Sequence, residues 1–444
     1  MEEFSVTIKP LTPIWTGDAN GKSSTLRETG IIGSLRWWYE ALIRGLGGYA
    51  CDPTDESLRC KLEHDKFNMA LKSGKTMSEA LNDQICQACQ LFGCTGWSRK
   101  FKLEIETLEK SSAPFVIEEI PNARFPYFLG YYDTSEKAKE YVNNGGLMGK
   151  YKLRFIIEDA NKVDLLKNLF TLASSWGIGA GVQKGFGVVD VEEKLELSNT
   201  TFPQQAESEY IDPYTVPLPR LDQFFFYKIP INPNFINQIL KLIGSSSYKS
   251  IKDLKDKEPL GEEVFSSYPY LPTSPWVRNK IRSLFRDKFK NNQVLRHLLM
   301  GFISNKNIKP IHKDCWEHSI EKDKKDGEKY YCEVCKKGNI TKDQIIEKTG
   351  SKIFVSHIYN KNAYKNNQEP KWEMRIWGWL PEIPKKINVS RKEIKQLLQV
   401  KFKDEDFWKQ TFGFIENPVL IESIQEKWDL DPTLLINNRG VFYE

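Results

Sequence analysis

Short segments in which apolar and polar residues alternate recur along the chain, and this period of two is typical of half-buried β-strands. The first covers residues 4–9, and others are predicted at 100–106, 152–157 and 185–191. Apolar residues at three- and four-residue spacing predict two amphipathic helices between these strands. One begins at Gly33-Ser34 and ends near Gly45, and the other covers residues 163–176.

The order of these elements is that of a ferredoxin-like unit, the architecture of RNA-recognition motifs. A second set follows, although no exact sequence repeat relates the two. It comprises predicted strands at 224–229, 352–359 and 371–379, a helix at 234–243, and helices with charged faces from 391 onward. Residues 196–220, rich in Pro, Ser, Thr and Gln, separate the sets. We therefore expect an α+β protein with ferredoxin-like domains at 1–195 and 221–444, a linker at 196–220, and a Cys/His insertion at about 305–345.

Composition adds a preference for one class of partner. The 444 residues suffice for two or three domains, of which we expect two. A net charge of +5 allows a polyanionic partner without requiring one, whereas 12% aromatic residues, including 12 Trp, favour stacking on unpaired bases. No apolar run approaches the roughly 20 residues that span a bilayer, and the N-terminal segment lacks a signal-peptide layout. We expect a cytoplasmic protein without a membrane partner.

Residues 177–187 place five glycines and Lys184 between a predicted helix and a predicted strand. Such a backbone can direct consecutive N–H groups at an anion, and Lys184 adds a positive charge. The segment lacks the Gly-Lys-Ser/Thr ending of a P-loop, and it runs from helix to strand, unlike a Rossmann turn. We therefore predict RNA phosphate contacts at Gly179, Gly181, Lys184 and Gly185. The alternative is an ordinary flexible connection.

The first predicted helix offers a second phosphate site at its N-terminus. Ser34 and Arg36 would lie in its first turn, where backbone N–H groups attract anions, and Arg44 would lie in its last. The alternative is an intrahelical ion-pair ladder through Glu40. Trp38 falls on the apolar stripe, so Trp37 is the better candidate for stacking on a base or packing on a partner subunit.

The loop that precedes this helix carries charged residues of both signs. Lys22 and Arg27 belong to the predicted RNA-binding set. Asp18 follows the first strand, where it could bind a divalent metal and activate attack on an RNA backbone. An aspartate in this Gly-Asp-Ala-Asn-Gly context is more often a turn residue.

The eight cysteines are expected to be metal ligands or buried thiols, because disulfides are rare in a reducing compartment. Cys86 and Cys89 form a CxxC pair that Cys51 and Cys60 could complete as a four-thiolate zinc site. Cys94 competes as a ligand, and buried thiols without metal are the alternative.

A second cluster has tighter spacing. His312 with Cys315, and Cys332 with Cys335, each place two ligands three positions apart, which is typical of a zinc ribbon or knuckle. His318 is the alternative to His312. The intervening Lys-rich segment has little core of its own, so we expect a structural zinc ion to order it.

With its glycine loop before the last strand of a ferredoxin-like unit, the chain resembles the RAMP superfamily of CRISPR-associated RNA-binding proteins. Further segments resemble the first-named RAMP subunit of the Cmr complex, the type III-B effector. They are TLRETGIIGSLRWWYE at 25–40, GLGGY at 45–49, CQACQLFG at 86–93 with TGW at 95–97, and RIWGWLP at 375–381. The region from about 305 to 345 departs from the shorter family pattern.

The resemblance implies two ferredoxin-like domains and a place at one end of an antiviral ribonucleoprotein. There the subunit would contact the 3′ part of the guide (CRISPR) RNA, or the target RNA paired to it, and neighbouring Cmr-type subunits. Target cleavage in such complexes is assigned to repeated backbone subunits. The sequence thus favours a non-catalytic RNA-binding subunit, with a ribonuclease using Asp18 and a zinc-stabilised protein scaffold as alternatives.

Overall fold

A computed structural model describes residues 1–18, 20, 23–113, 115–118, 127–130, 146–193, 195, 217–248, 269–290, 292–305, 307–322 and 330–433. The first unit contains one four-stranded antiparallel sheet. Its elements are β1 (Glu2–Pro10), α1 (Glu28–Gly45), α2 (His64–Lys72), α3 (Met77–Asn82), α4 (Gln87–Phe92), β2 (Phe101–Ser112), β3 (Phe115–Glu118), β4 (Tyr127–Gly130), β5 (Leu147–Ile157), α5 (Val163–Trp176) and β6 (Val189–Val191).

The strands of this sheet have the order β2-β5-β1-β6. The first strand therefore lies between the third and the last, which is the ferredoxin-like arrangement, and that prediction is confirmed. Helices α2 to α4 form an insertion between α1 and β2, while β3 and β4 pair as a hairpin between β2 and β5.

Alternation along β5 explains how the sheet builds its core. Tyr151, Leu153 and Phe155 are buried, whereas Lys152 and Arg154 between them are exposed. Leu153 pairs with Val6 of β1, so the two strands bury the same face. Helices α1 and α5 cover that face with their apolar stripes.

Helix α1 begins at Glu28, so the prediction that Ser34 opens it is wrong. Gly30 and Gly33 suggest a break in the sequence, but both lie within the helix. A Cβ at Gly30 would lie 2.6 Å from Cβ of Thr16, so glycine lets the first turn pack directly on the preceding loop. The predicted strand at 185–191 is also shorter, because Gly185 and Gly187 have positive φ and β6 covers only Val189–Val191.

The second unit repeats the topology with more insertions. Its elements are β7 (Phe224–Pro230), α6 (Ile236–Tyr248), β8 (Tyr270–Leu271), α7 (Ser274–Lys288), α8 (Gln293–Met300), β9 (Phe302–Ile303), β10 (Ile311–His312), β11 (Glu317–His318), β12 (Ile320–Lys322), β13 (Tyr330–Cys332), β14 (Ile345–Ile346), β15 (Lys348–Thr349), β16 (Ile353–Val355), β17 (Ile358–Asn360), β18 (Trp372–Trp379), α9 (Arg391–Phe402), α10 (Glu405–Phe412) and β19 (Gln425–Trp428).

The sheet of this unit has the order β19-β7-β18-β17-β8, with β16 also paired to β18. Its first strand, β7, lies between β18 and β19 as in the first unit, which confirms the second ferredoxin-like unit. The helices predicted from 391 onward are present as α9 and α10, but Gln425–Trp428 forms strand β19 instead, a segment whose single apolar residue gives no strand pattern. Short strands β10 to β14 build the Cys/His insertion around a small core of Ile320, Tyr330, Cys332, Ile340 and Ile345.

The two units pack together through aromatic rings. Trp38 stacks on Trp377 with ring centroids 5.0 Å apart, and its indole Nε1–H donates to the Gly177 carbonyl. Trp176, at the end of α5, contacts Phe226 at 4.4 Å. Arg375 Nη1 donates to the carbonyl of Ser175. Side chains from the sheet of the second unit therefore contact the helices of the first unit. The proposed linker boundaries stay a prediction, because residues 194 and 196–216 lie outside the described part.

Candidate functional site

The glycine loop at residues 177–187 is held at both ends and open in its middle. Its amides at Ala180 and Gly187 donate to the carbonyls of Trp15 and Pro13, at 2.7 and 2.9 Å. Gly179, with φ of +83°, brings its backbone so near Trp15 that a Cβ would lie 2.9 Å from that carbonyl oxygen. Close approach therefore requires glycine, and the loop is not an ordinary flexible connection.

The middle of the loop retains unused donors. The amides of Gly179, Gly181, Val182 and Gln183 have no hydrogen-bond acceptor among the described residues. All four residues are partly or fully exposed, and the exposed Lys184 follows them. Consecutive amides with an adjacent cation form a concave anion site, so this half of the loop agrees with the predicted phosphate contacts of Gly179, Gly181 and Lys184.

The other half faces the second unit. Gly185 is buried, and a Cβ there would lie 2.6 Å from Cβ of Ser274 and 2.8 Å from Nδ1 of His357. Its carbonyl accepts the His357 amide at 3.2 Å. The phosphate contact predicted for Gly185 is therefore corrected: this glycine allows the two units to approach.

His357 shows that the fold brings a histidine to the glycine loop, although none is near it in sequence. The ring is fully buried, its Nδ1 accepts the Ser274 amide at 3.2 Å, and it stacks on Tyr270. Burial lowers the pKa of His357 to about 3. The buried neutral ring thus packs between the loop and the second unit, and it is not exposed at the surface where a strand would lie.

The N-terminus of α1 adjoins the open half of the loop. Trp15, which accepts the Ala180 amide, is followed by Thr16, whose Oγ1 accepts the Arg27 amide at 3.1 Å. Arg27 is the N-cap residue, is 47% exposed, and makes no side-chain capping bond. The amides of Glu28 and Thr29 have no acceptor among the described residues, so two sets of open donors share this surface. Lys22 lies outside the described residues.

Two residues of α1, Ser34 and Arg44, are placed differently from their predicted role. Ser34 is in the second turn, where its amide belongs to the helix, and it cannot cap an anion. Arg44 is 1% exposed and donates to the carbonyls of Ala50, Cys51 and Pro219. Its guanidinium is satisfied inside the fold, so neither residue remains in the RNA-binding set.

Arg36 and Trp37 also point inward. Arg36 donates to Glu40 at 2.7 Å and to the Gly93 carbonyl at 2.9 Å, and its Nη2 lies 3.2 Å from Sγ of Cys89. The salt-bridge alternative therefore describes Arg36 better than phosphate contact. Trp37 is half-buried and packs edge-on against four rings of the second unit, those of Phe224, Phe354, Trp377 and Trp379. Its ring therefore packs within the chain instead of stacking on a base.

Asp18 lies beside the α1 N-terminus. Its Oδ1 accepts the Asn20 amide at 2.9 Å, and its Oδ2 lies 3.9 Å from Arg27. The first contact is an Asx turn, which is the ordinary role of an aspartate in such a loop. Among the described residues, Asp18 belongs to neither of the two groups of potential metal ligands.

The first metal-ligand group consists of Cys51, Cys60, Cys86 and Cys89, whose sulfur atoms lie within 4.8 Å of one another. The Sγ atoms of Cys51 and Cys89 are 3.5 Å apart, and those of Cys51 and Cys86 are 3.8 Å apart. A tetrahedron with Zn–S bonds of about 2.3 Å has sulfur–sulfur edges of about 3.8 Å, so the four thiols have the required spacing. Cys94 is not part of this group.

The fold brings these sulfur atoms together from three segments. Cys86 is the N-cap residue of α4, Cys89 lies in its first turn, and the Cys86 amide donates to Sγ of Cys60. Hydrogen bonds from Cys60, Cys86 and Cys89 lower the pKa of Cys51. Because a thiolate is the metal-binding form, this group can hold a metal ion.

The second group consists of His312, Cys315, Cys332 and Cys335, again within 4.8 Å. Nδ1 of His312 lies 3.5 Å from Sγ of Cys315 and 3.4 Å from Sγ of Cys335. The other ring nitrogen of His312 lies 3.5 Å from Oδ2 of Asp314, so a carboxylate stands behind the ligand as in many metal sites.

The structure also decides between the two candidate histidines. Both ring nitrogens of His318 are occupied, Nδ1 by the Lys309 carbonyl at 2.5 Å and Nε2 by Nδ1 of His297 at 2.8 Å. Burial lowers the pKa of His297 to about 3, and His318 adds to the effect. His312 therefore completes the second group, whereas the ring of His318 bonds to His297 and to the Lys309 carbonyl instead.

Comparison with known proteins points to one superfamily. The sequence model of the RAMP superfamily matches residues 7–190. No curated protein matches the chain. Among the described residues, no helix is long and apolar enough to cross a membrane.

Two solved structures align with most of the chain at low similarity. The apo crystal structure of Cmr1 from Pyrococcus furiosus is 11% identical, with 90% of this chain and 97% of that one covered and a TM-score of 0.39. A type III-B Cmr-beta chain, from a cryo-EM structure bound to cognate target RNA and AMPPnP in the presence of ssDNA, is 12% identical. It has coverages of 89% and 98% and a TM-score of 0.35.

Proposed function

We propose that the chain is a member of the RAMP superfamily, whose model matches residues 7–190, and that it is a non-catalytic RNA-binding subunit of a type III-B CRISPR effector. It contacts the 3′ part of the guide RNA, or the target RNA paired to it, in antiviral defence. Other Cmr-type subunits are its protein partners. The motifs at 25–40, 86–97 and 375–381 support this assignment within the superfamily.

One observation carries the proposal. The open amides of Gly179, Gly181, Val182 and Gln183 lie next to exposed Lys184, and Trp15 and Thr16 connect them to the uncapped N-terminus of α1. Both features favour an anion through directed N–H groups and positive charge. A polyanionic strand that crosses both sites would gain several such contacts at once.

Asp18 supports the non-catalytic part of the proposal. Its carboxylate accepts a backbone amide and lies near Arg27, which favours a turn role over metal activation. We retain the metal-dependent endoribonuclease as the second function to be tested, because Asp18 adjoins the proposed RNA surface.

Direct binding tests the proposal. The full chain should bind a single-stranded RNA oligonucleotide, and its affinity should fall steeply as salt rises, because each phosphate contact releases a counterion. An RNA affinity that is absent, in a chain that still joins its effector complex, would favour the scaffold function. Cleavage that requires Mg²⁺ and disappears in Asp18→Asn would favour the nuclease.

We further propose that both cysteine-containing groups hold structural zinc, since each supplies four sulfur or imidazole ligands within 4.8 Å of one another. Elemental analysis of the purified protein should find between one and two zinc ions per chain. Chelation should disorder the second group first, because its core contains only five buried side chains. Protein that contains no metal yet is fully folded would contradict the zinc proposal.

A further inference from the structure

Helices α7 and α8 form an antiparallel pair joined by residues 289–292, and arginines line one side of it. Arg278, Arg282 and Arg286 follow one another at four-residue spacing on α7, so they share a face. Arg278 donates to the Ile353 carbonyl at 2.7 Å, and Arg282 donates to the carbonyl of Met300, the last residue of α8, at 3.3 Å. The row of arginines thus begins beside strand β16 and continues along α7 past the C-terminal end of α8.

The contact of Arg282 fixes where the next arginine lies. Because the helices are antiparallel, one turn further along α7 from Arg282 corresponds to one turn back along α8 from Met300. Those positions are Arg286 and Arg296, which therefore lie at the same level along the two helices. Burial lowers the pKa of Arg296, and the positive charges of Arg286 and Arg282 lower it further.

Arg286 and Arg296 have no carboxylate partner among the described residues. Arg286 is exposed and Arg296 is half-buried. The nearest acid on α7, Asp287, points to the neighbouring face, where its carboxylate accepts from Ser283 at 3.4 Å. Two positive charges therefore lie near each other without a neutralising carboxylate among the described residues.

We propose that Arg286 and Arg296, with Arg282 behind them, form a phosphate-binding site for single-stranded RNA on the second unit. The inference rests on the proposed RNA-binding function and extends it, because this site lies on helices far along the chain from the glycine loop. Guanidinium groups fit phosphate oxygens through paired N–H donors, and they remain charged at all relevant pH values. A protein acid could also pair with them, and the experiment distinguishes that outcome.

The test uses the full chain and a fluorescent oligouridine probe, with affinity measured by anisotropy over a range of salt concentrations. In Arg286→Ala/Arg296→Ala we expect the dissociation constant to rise about tenfold. The slope of log affinity against log salt should become shallower by about 1.4, because two single-strand phosphate contacts are lost. Arg286→Glu changes only the exposed arginine and leaves the half-buried Arg296 in place. This variant should weaken oligouridine binding at least as much.

Lys288→Ala is the matched control. It removes one positive charge from the same exposed helix, but its side chain is about 200° around the helix from Arg286 and near Glu393. Oligouridine affinity should change by less than about twofold in this variant.

The outcomes separate the two proposals. If the unsubstituted chain binds oligouridine and Lys184→Ala weakens it while the arginine variants do not, the second site is wrong and the proposed function stands. If the arginine variants bind oligouridine normally but fail to join the effector complex, the arginines pair with a protein and the inference is again overturned. If the unsubstituted chain shows no salt-dependent binding, both proposals fail.

Discussion

Arg36 and Lys184 are both basic residues that the sequence assigns to an RNA surface, and the fold gives them different surroundings. Arg36 bonds to Glu40, to a backbone carbonyl and to a thiol of the first metal-ligand group. Lys184 is exposed and has no ion pair among the described residues. Of these two residues, only Lys184 can therefore place its positive charge next to an external phosphate.

Lys184→Ala should weaken binding of single-stranded RNA. Loss of one phosphate contact is expected to raise the dissociation constant several-fold and to reduce the salt slope by about 0.7. Lys72→Ala, which removes an exposed lysine from the end of α2, is the control and should leave both quantities unchanged. Equal losses in the two variants would mean that the effect is one of net charge alone.

Arg36→Ala should weaken binding of the zinc ion that we propose for the first group. Arg36 Nη2 lies 3.2 Å from Sγ of Cys89, and a four-thiolate zinc site carries excess negative charge that this guanidinium offsets. Loss of such an outer partner is expected to lower zinc affinity about 10- to 100-fold, as measured by competition with a chromogenic chelator. Arg154→Ala, at an exposed ion pair on the sheet, should have no effect on zinc release.

At the level of single elements, burial rather than intrinsic propensity explains the first sheet. Strand β5 alternates between residues that are fully buried and residues that are exposed, and its neighbours β1 and β2 bury the same side. The two helices that cover this side bring their apolar stripes to it. An apolar side chain at the centre of β5 therefore stabilises contacts with both layers.

Leu153→Ala should destabilise the folded chain by about 2 to 5 kcal/mol, because it removes buried methyl groups and leaves a cavity. Leu153 is 0% exposed and faces both Val6 and Ile105 across the sheet. Leu108→Ala, at a residue that is 46% exposed, should cost far less. Chemical denaturation measures the difference, and equal costs would contradict the assigned register.

The predicted start of α1 at Gly33-Ser34 was wrong because of a contact between this helix and the loop before it. Glycine at 30 and 33 reads as a helix boundary when only the neighbouring residues are considered. In the fold, Gly30 is needed because Thr16 lies against it, and the chain remains helical through both positions. Because of this contact with the preceding loop, the helix starts earlier than predicted. Among the described residues, its unpaired N-terminal amides are therefore those of Glu28 and Thr29, and not those near Ser34.

At the scale of the whole molecule, the interface between the two units buries a titratable group, His357. His357 is fully buried between Gly185, Ser274 and Tyr270, and burial lowers its pKa from 6.5 to about 3. The unfolded chain takes up a proton near pH 6.5, whereas the folded chain excludes it until about pH 3. Between these limits the unfolded state binds more protons, so acid favours unfolding.

We expect the free energy of unfolding to fall by about 1.4 kcal/mol per pH unit for such a group as the pH drops below 6.5. His357→Asn, which keeps a hydrogen-bond acceptor for the Ser274 amide, should make the decline between pH 6 and pH 4 shallower. His297, whose pKa is also lowered to about 3, should maintain the remaining decline. His64→Asn, at an exposed histidine, is the control, and an unchanged slope in His357→Asn would contradict the buried neutral ring.

Much of this architecture follows from local pattern. Period-two alternation predicted β1 and β5, helical spacing predicted α5, and element order predicted both ferredoxin-like units. The spacing of Cys86 with Cys89, and of Cys332 with Cys335, also anticipated two ligand groups. These properties are readable because a strand, a helix and a CxxC pair each depend on residues that are close in sequence.

Long-range packing decided the rest. It turned Arg36 and Arg44 inward, placed Gly185 against His357, occupied both nitrogens of His318, and set Arg286 opposite Arg296. Whether a side chain can contact a ligand depends on which residues cover it. Here the covering residues come from distant segments of the chain, as where Arg375 bonds to Ser175, 200 positions earlier. Residue type indicates which interactions a side chain can make, and the three-dimensional packing determines which of them remain available.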